Sequence, residues 1–492
     1  MKSKWFRGEM AGLSAMVFTA MALAGCAPQV RLPAPDVAVP QAFEAGAASV
    51  GASGATLPEL SLDRWWLAFN DAQLTGLIDT ALERSTTARL AYARLAEARA
   101  SRSATKAGTL PTGSLSATAT EQGTRRLWGQ GANSPGDDTY QATFYPSWEI
   151  DLFGRLSATR QQADVQYASS TLDYHGARLA LAADVATSLF QARSAAIDLA
   201  TARERLAVSQ KLAGTGRLGA ARGLTSGQDA DRLESDLATA QAEAIRLEAE
   251  LQASKRSLLI LVGTPNAPTE DLLIAARLDP APALPPVTPG LLLARRPDVL
   301  SAGLGVESAS LGVKINRLAL FPRFDLNPGV GLTAATGALA GGTGLWSLAA
   351  GLTVPLLDRP RLMAQLRVSE AQGQQAVVTY EQTVQNAFGE AENALVRLNA
   401  NRSRIGDLET AERRSRSAYD SAIRGYGAGL TDLTTLLQSE QTWLQARAAR
   451  DQGRLALLTG TVSVVRALGG GWDAAQDMPP RNSQINAQGA QQ

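Results

Sequence analysis

Two stretches of this chain, residues 155–213 and 360–425, contain no proline except Pro360 at the start of the second. Read as helices at 1.5 Å per residue, they would run roughly 90–100 Å. Nothing else in the sequence constrains the fold as strongly, because globular domains rarely contain helices of that length. The helical segments carry coiled-coil seams. Leu233, Leu237, Ala240, Ala244, Leu247, Leu251, Ser254, Leu258 and Leu261 alternate steps of four and three, the spacing of a and d positions. Val377, Val384, Ala391, Leu398 and Ile405 step by seven, with Phe388 and Leu395 between them, and Leu430, Leu437, Leu444, Leu458 and Val465 lie on another seven-step series broken by Asp451. Aromatic residues are only 5% of the chain, which suits helices packed side by side better than a compact α/β core.

The long segments are duplicated. Leu110-Pro111 corresponds to Phe321-Pro322, Phe153-Gly154-Arg155 to Leu357-Asp358-Arg359, Tyr174 to Tyr380, and Gly223-Leu224-Thr225 to Gly429-Leu430-Thr431. Each half reads as helix, two strands, very long helix, tight turn, helix. The first repeat, 61–290, is expected to hold a helix, strands at about 112–124 and 138–150, a long helix 155–213 and a helix 228–263. The second, 291–472, is expected to hold a helix, strands at about 323–335 and 344–356, a long helix 360–425 and a helix 432–468. In the helix opening of the second repeat, Pro297 suits the first helical position and Asp298 the positive helix end, with Arg295 and Arg296 available to anchor it.

The strands alternate. Phe324, Leu326, Pro328, Val330, Leu332 and Ala334 interleave with small or polar residues, as do Trp346, Leu348, Ala350, Leu352, Val354 and Leu356. Tyr140, Ala142, Phe144, Trp148 and Ile150 make a similar face, whereas 112–120 is a weak Ser/Thr/Ala alternation. Such strands fit a transmembrane β-barrel wall, or a half-buried soluble sheet. Four strands cannot close a barrel, and open edges are not tolerated in lipid. If these strands span a membrane, several chains must pool them: two would supply eight and three would supply twelve. Because Arg155 and Arg359 follow the strands without a linker, the result is a β-pore prolonged into an α-helical tube.

The N-terminus points to the cell envelope. Lys2, Lys4 and Arg7 precede an apolar run from Met10 to Ala24 that is short for a membrane span, so 1–25 reads as a signal peptide. Leu23-Ala24-Gly25-Cys26 resembles the bacterial lipoprotein box, which implies cleavage before Cys26 and acylation of that residue, the only cysteine in the chain. Ala27 rather than aspartate after it points, by the same resemblance, to the outer membrane. Cleavage removes Lys2, Lys4, Arg7 and Glu9 and takes the formal charge from +1 to −1, which offers nothing to nucleic acid. Residues 26–60 are Pro/Ala/Gly-rich and read as a lipid-anchored linker, and 473–492 as a disordered polar tail.

Motifs for chemistry are missing. Gly214-Thr215-Gly216-Arg217-Leu218-Gly219 fits G-x-G-x-x-G, but a helix rather than a strand precedes it, so it is expected to be a helix-terminating turn. No P-loop occurs, and His175 alone cannot make a two-histidine metal site. No cofactor, metal site or catalytic residue is assigned.

Trp65-Trp66 with Phe69, SWEIDLFGR at 147–155, LARRPDV at 293–299, the Gly429-Leu430-Thr431 turn and VRALGGGW at 465–472 resemble the outer-membrane efflux lipoproteins of the TolC/OprM type (outer-membrane factors, NodT-type) across about 60–472. The resemblance implies a mixed membrane protein: a homotrimer whose twelve-stranded β-barrel, four strands per chain, continues into a periplasmic α-helical barrel. It implies a passive efflux conduit in the outer membrane, serving a periplasmic adaptor (membrane fusion protein) and an inner-membrane pump of RND type. The sequence departs from the family in having Arg217-Leu218-Gly219-Ala220 where the second half keeps Tyr426.

Two groups of residues are candidates for the working parts. Gly223, Leu224, Thr225 and Ser226 in one tip, and Gly429, Leu430, Thr431 and Asp432 in the other, are expected to dock the adaptor. Glycine ends a helix and Ser or Asp caps the next, but neither requirement explains an apolar leucine in each turn. Tyr419, Asp420, Arg424 and Tyr426 are either the surroundings of an exposed i, i+4 ion pair or the residues that hold the mouth of the tube closed. The rival to a channel is a coiled-coil lipoprotein that scaffolds the envelope, which leaves the duplicated strands unexplained; an anchored enzyme lacks motifs.

Overall fold

A computed structural model describes residues 33–36, 40, 42–44, 62–124, 127–128, 134–282, 290, 295–336 and 340–472. Cys26, the signal segment, most of the linker and the tail lie outside these residues. The elements in chain order are a short 3₁₀ helix Leu62–Phe69, α1 Ala72–Arg84, α2 Thr86–Ala107, β1 Thr112–Thr124, β2 Ser134–Ile150, α3 Arg155–Ala221, α4 Gly227–Val262, α5 Pro297–Leu318, β3 Arg323–Ala335, β4 Gly341–Thr353, α6 Arg359–Gly427 and α7 Leu433–Ala467. They divide into a sheet unit (through Asp36, Ala96–Ser169 and Ala302–Glu381) and a helical unit comprising the rest.

The sheet unit holds one four-stranded antiparallel sheet in the order β1-β2-β3-β4. Its register gathers the apolar residues of all four strands onto one face: Leu115 opposes Phe144, Phe144 opposes Val330, and Val330 opposes Trp346. Large side chains on that face stand in solvent, Trp346 at 83% exposure, with Leu348, Leu332 and Trp148 also exposed. The opposite face carries Thr143, Gln141, Asp325, Asn327, Ser347 and Thr353, with Tyr145 and Leu345 as its large side chains. β4 begins three residues earlier than the expected 344–356, because Gly341 and Gly342 pair with Ala335 and Ala334. It stops at Thr353, two residues before Pro355, which has no N–H to offer a ladder. β2 likewise begins at Ser134 rather than 138.

The SWEIDLFGR run makes the strand-to-helix joint. Arg155 Nη2 donates to Glu149 at 2.6 Å, and Asp151 accepts from the backbone N–H groups of Leu156 (3.0 Å) and Ser157 (2.7 Å), satisfying open donors of α3. Gly154 takes φ +84 at the turn, which favours glycine.

In the helical unit, Trp65, Trp66, Leu74 and Ile78 pack against Leu181, Val185, Leu189 and Phe190 of α3, with Leu258 of α4 and Leu458 of α7 in the same core. Arg193 of α3 reaches Asp71 at 2.5 Å and Gln73 at 3.0 Å, pinning the start of α1. Arg295 binds Asp63 at 2.5 Å and the Trp472 carbonyl at 3.0 Å, while Trp472 Nε1 donates to the Arg295 carbonyl at 3.0 Å. Arg296 joins Asp298 (2.6 Å), Glu390 (2.9 Å) and the Ala467 carbonyl (3.1 Å). LARRPDV and VRALGGGW, far apart in sequence, thus form one knot, against which His175 stacks on Trp472 at 5.0 Å.

Three expectations are corrected. The G-x-G-x-x-G stretch does not end a helix: α3 continues to Ala221. Its glycines allow close packing, since a Cβ on Gly216 would lie 2.7 Å from Leu233 Cδ1 and one on Gly219 2.8 Å from Thr225 Oγ1. In the first half of α7 the buried seam is Leu433, Leu436, Glu440 and Trp443, with Leu437 and Leu444 only flanking it, whereas Leu458 and Val465 of the expected series are buried in the second half. The linker is not free throughout: Phe43 is 1% exposed and stacks on Phe388 at 5.5 Å.

Candidate functional site

The helical unit ends in two hairpin turns of nearly the same geometry. At the first, Gly223 takes φ +70, its N–H donates to the Ala220 carbonyl at 3.0 Å, and the Leu224 N–H donates to the Gly219 carbonyl at 2.8 Å. At the second, Gly429 takes φ +73, its N–H donates to the Tyr426 carbonyl at 3.0 Å, and the Leu430 N–H donates to the Gly425 carbonyl at 2.8 Å. Both are Schellman turns, in which crossed bonds close the last carbonyls of the helix. Ser226 then caps α4 by accepting from the Asp229 N–H at 3.0 Å, and Asp432 caps α7 by accepting from the Thr435 N–H at 2.8 Å. Those bonds hold the Asp432 carboxyl below its usual range.

A Schellman turn commonly packs the residue after its glycine onto an apolar residue in the last helical turn. Here that position is Gly219 in one tip and Gly425 in the other, and Thr225 and Thr431 lie over these glycines so closely that a Cβ would collide with them. The residue before each of these glycines is Leu218 in the first tip, itself 61% exposed, and Arg424 in the second, so neither leucine is buried by its own turn. Leu224 is 75% exposed and Leu430 85% exposed. All eight expected tip residues fall in these two turns and their caps.

The expected gate residues are divided. Tyr419 is buried at 7% exposure and stacks on Trp443 at 5.1 Å and 6°. Burial pushes its hydroxyl up to about 12. It belongs to the core below the tips, with Ala213, Leu233, Ala422, Leu433 and Leu436, and is not available at a mouth. Tyr426 is half-buried beside that core. Asp420 is half-buried and Arg424 exposed, but the i, i+4 ion pair between them does not form; Arg424 donates to Ser421 Oγ at 3.3 Å.

The seams also enclose charges that their apolar periodicity did not announce. Glu440 is 4% exposed in the α7 seam, 3.6 Å from Arg205 of α3, which also binds Asp236 of α4 at 2.6 Å. Burial, then the neighbouring Asp236 charge, raises the Glu440 carboxyl above its usual range. Trp443 Nε1 donates to Glu412 at 3.2 Å, and Arg447 lies over the indole while binding Glu204 at 2.8 Å. A cavity of about 300 Å³ beside this belt is lined by Asp198, Arg205, Glu243, Arg246, Arg447 and Asp451. The sequence signals were that Trp443 is the sole aromatic residue of α7 and that Asp451 breaks its seven-step series.

Among the described residues no cluster of His, Cys, Asp or Glu could hold a metal ion, and no helix is long and apolar enough to cross a membrane.

A family model, outer membrane efflux protein, matches residues 77–264 and 288–470, one segment in each repeat. The pyoverdine export outer membrane protein OpmQ of Pseudomonas putida is 29% identical over 459 residues, covering 91% of this chain and 95% of that protein. The outer membrane protein OprJ of Pseudomonas aeruginosa is 28% identical over 95% of this chain and 97% of its own. The solved outer-membrane channel OprN superposes with a TM-score of 0.77 at 27% identity, over 90% of this chain and 99% of that one. The CmeC channel of Campylobacter jejuni superposes at 0.81 over 92% and 97%, and at 21% identity it speaks to the fold alone.

Proposed function

The chain belongs to the outer membrane efflux protein family, and from that premise we propose that three copies pool their sheets into a twelve-stranded barrel, forming the passive outer-membrane conduit of an efflux pump. The observation that carries this is the sheet with its large apolar face exposed. Its apolar side chains need lipid, and β1 and β4 are edges with unpaired backbone groups that lipid does not tolerate. With four antiparallel strands per chain, β4 of one copy meets β1 of the next antiparallel, so a ring of copies closes without a mismatched seam. The family's members are outer-membrane efflux channels, and energy for export then comes from a partner.

Under this reading the two tips are the docking points for a periplasmic adaptor, and the pump it serves is of RND type. Cys26 is the acylated N-terminus; the similarity to the probable outer membrane lipoprotein SilC of Salmonella typhimurium, 27% identical over 93% of this chain, supports that assignment. The gate role passes from Tyr419 to Asp420, Arg424 and Tyr426, which are not locked in the core. The test is single-channel recording: the purified oligomer in a planar bilayer should conduct ions, and a non-conducting, membrane-bound protein would favour an envelope scaffold.

A further inference from the structure

The cavity of about 300 Å³ between α3, α4 and α7 has no task in the conduit, and the charges that line it are unevenly satisfied. Its three arginines are engaged. Arg205 binds Asp236 at 2.6 Å, Arg246 forks onto Glu243 at 2.7 and 2.9 Å, and Arg447 binds Glu204 at 2.8 Å. Two of its three carboxylates are engaged as well: Glu243 by that fork, and Asp451, 4% exposed, by Arg450 at 2.7 and 2.9 Å. Asp198 is left over, with no hydrogen bond or ion pair among the described residues. Burial, then the neighbouring Asp451 charge, raises its carboxyl above the usual range. The register that aligns Gly223 with Gly429 makes Ile245 the equivalent of Asp451 and Arg404 the equivalent of Asp198, so the repeat itself does not require these acids.

We propose that this cavity is a binding site for a monovalent organic cation, a protonated amine carried on an apolar group, with Asp198 as its counter-ion. A charge so far out of water is costly without a partner, and the ammonium supplies the one that the chain does not. The apolar group lies against Leu247 and Leu444, which line the same space. An anion would meet Asp198 and Asp451 with no free guanidinium to hold it. A divalent metal would lack ligands, since no group of three His, Cys, Asp or Glu among the described residues is placed to hold one. Binding draws only on three helices of one chain, so it goes beyond the conduit and does not depend on it.

The test is isothermal titration calorimetry of the full mature chain in dodecyl maltoside, with the micelle alone as blank. Phenethylammonium is the probe and 2-phenylethanol its neutral counterpart. Wild type should bind the ammonium saturably at one site per chain, and at least about tenfold more tightly than the alcohol. Asp198→Asn keeps the size of the side chain and removes its charge. It should weaken the ammonium about tenfold to a hundredfold, the range for a lost hydrogen bond to a charged group, and leave the alcohol unchanged. Equal affinity for both probes in wild type would overturn the proposal, as would an unchanged ammonium affinity in Asp198→Asn or no saturable binding up to about 10 mM. Should Asp198→Asn not give a helical protein by circular dichroism, Ala448→Phe takes its place. Ala448 is an exposed residue of the lining, and the larger side chain should fill the cavity and abolish binding; undiminished binding there would place the ammonium elsewhere and sink the site.

Discussion

Single residues decide the shape of the tips. Gly425 and Gly219 are needed because a threonine side chain rests on each, and Gly429 and Gly223 because the chain turns left-handed there. The sequence made the second pair legible, since Gly before a capping residue is a helix stop. It hid the first pair: Gly219 looks like part of a dinucleotide motif until Thr225 is seen lying over it, and nothing local marks Gly425 as the seat of Thr431. Glu440 was equally hidden: a carboxylate in an apolar seam reads as a break in periodicity. Its raised folded pKa means that the unfolded chain ionises first as pH climbs. Stability is therefore full below the ordinary glutamate range and is lost as pH rises through that range towards the folded value. Glu440→Gln removes this loss while Asp236 keeps Arg205 paired. The variant should melt higher than wild type at pH 7 by differential scanning calorimetry, with the gap closing towards pH 4; a gap independent of pH would show that Glu440 is held charged.

At the scale of elements, the two hairpins end in one Schellman turn repeated, with exposed leucines that contribute little to the fold. Leu224→Asp with Leu430→Asp should abolish efflux in cells while leaving the oligomer and its conductance intact. Full efflux in that double variant would remove the tips from the mechanism, and loss of the oligomer would return the leucines to packing. Below the tips, α6 and α7 are joined through Trp443, Tyr419 and Glu412, and α3, α4 and α7 through Arg205, Asp236 and Glu440, rather than by apolar contact alone. Trp443→Ala should cost about 3–5 kcal/mol of stability, the range for a large buried aromatic, measurable as a fall in the denaturation midpoint. Asp420 has no such partner. If it helps to close the mouth, Asp420→Ala should raise single-channel conductance without lowering the melting temperature; unchanged conductance would leave it a surface residue.

For the whole molecule, one chain is an incomplete object. Its sheet has two open edges and an apolar face without cover, so the barrel's stability is coupled to association and depends on chain concentration. Protease protection of the strands in vesicles should therefore rise with the number of chains per vesicle, whereas protection of the helical core around Trp65, Leu181 and Leu458 should not. Equal protection of the strands at one chain per vesicle would mean that the sheet is stable alone.

What the sequence determined by itself was whatever repeats along the chain: two very long helices, two alternating hairpins, the duplication that pairs them, and the Gly-Leu-Thr turns. Periodicity reports which face of an element is apolar, and four strands cannot close whatever their packing. Tertiary structure decided the rest, because it depends on residues distant in sequence meeting. Only packing shows that Tyr419 is consumed by the Trp443 stack and that Asp420 and Arg424 do not pair. Only packing shows Arg295 and Trp472 tying the repeat junction to the chain's end, and Phe43 filling a hole between α6 and α7. No local pattern around Phe43 marks it as core, since the cavity that buries it is built by side chains more than three hundred residues away.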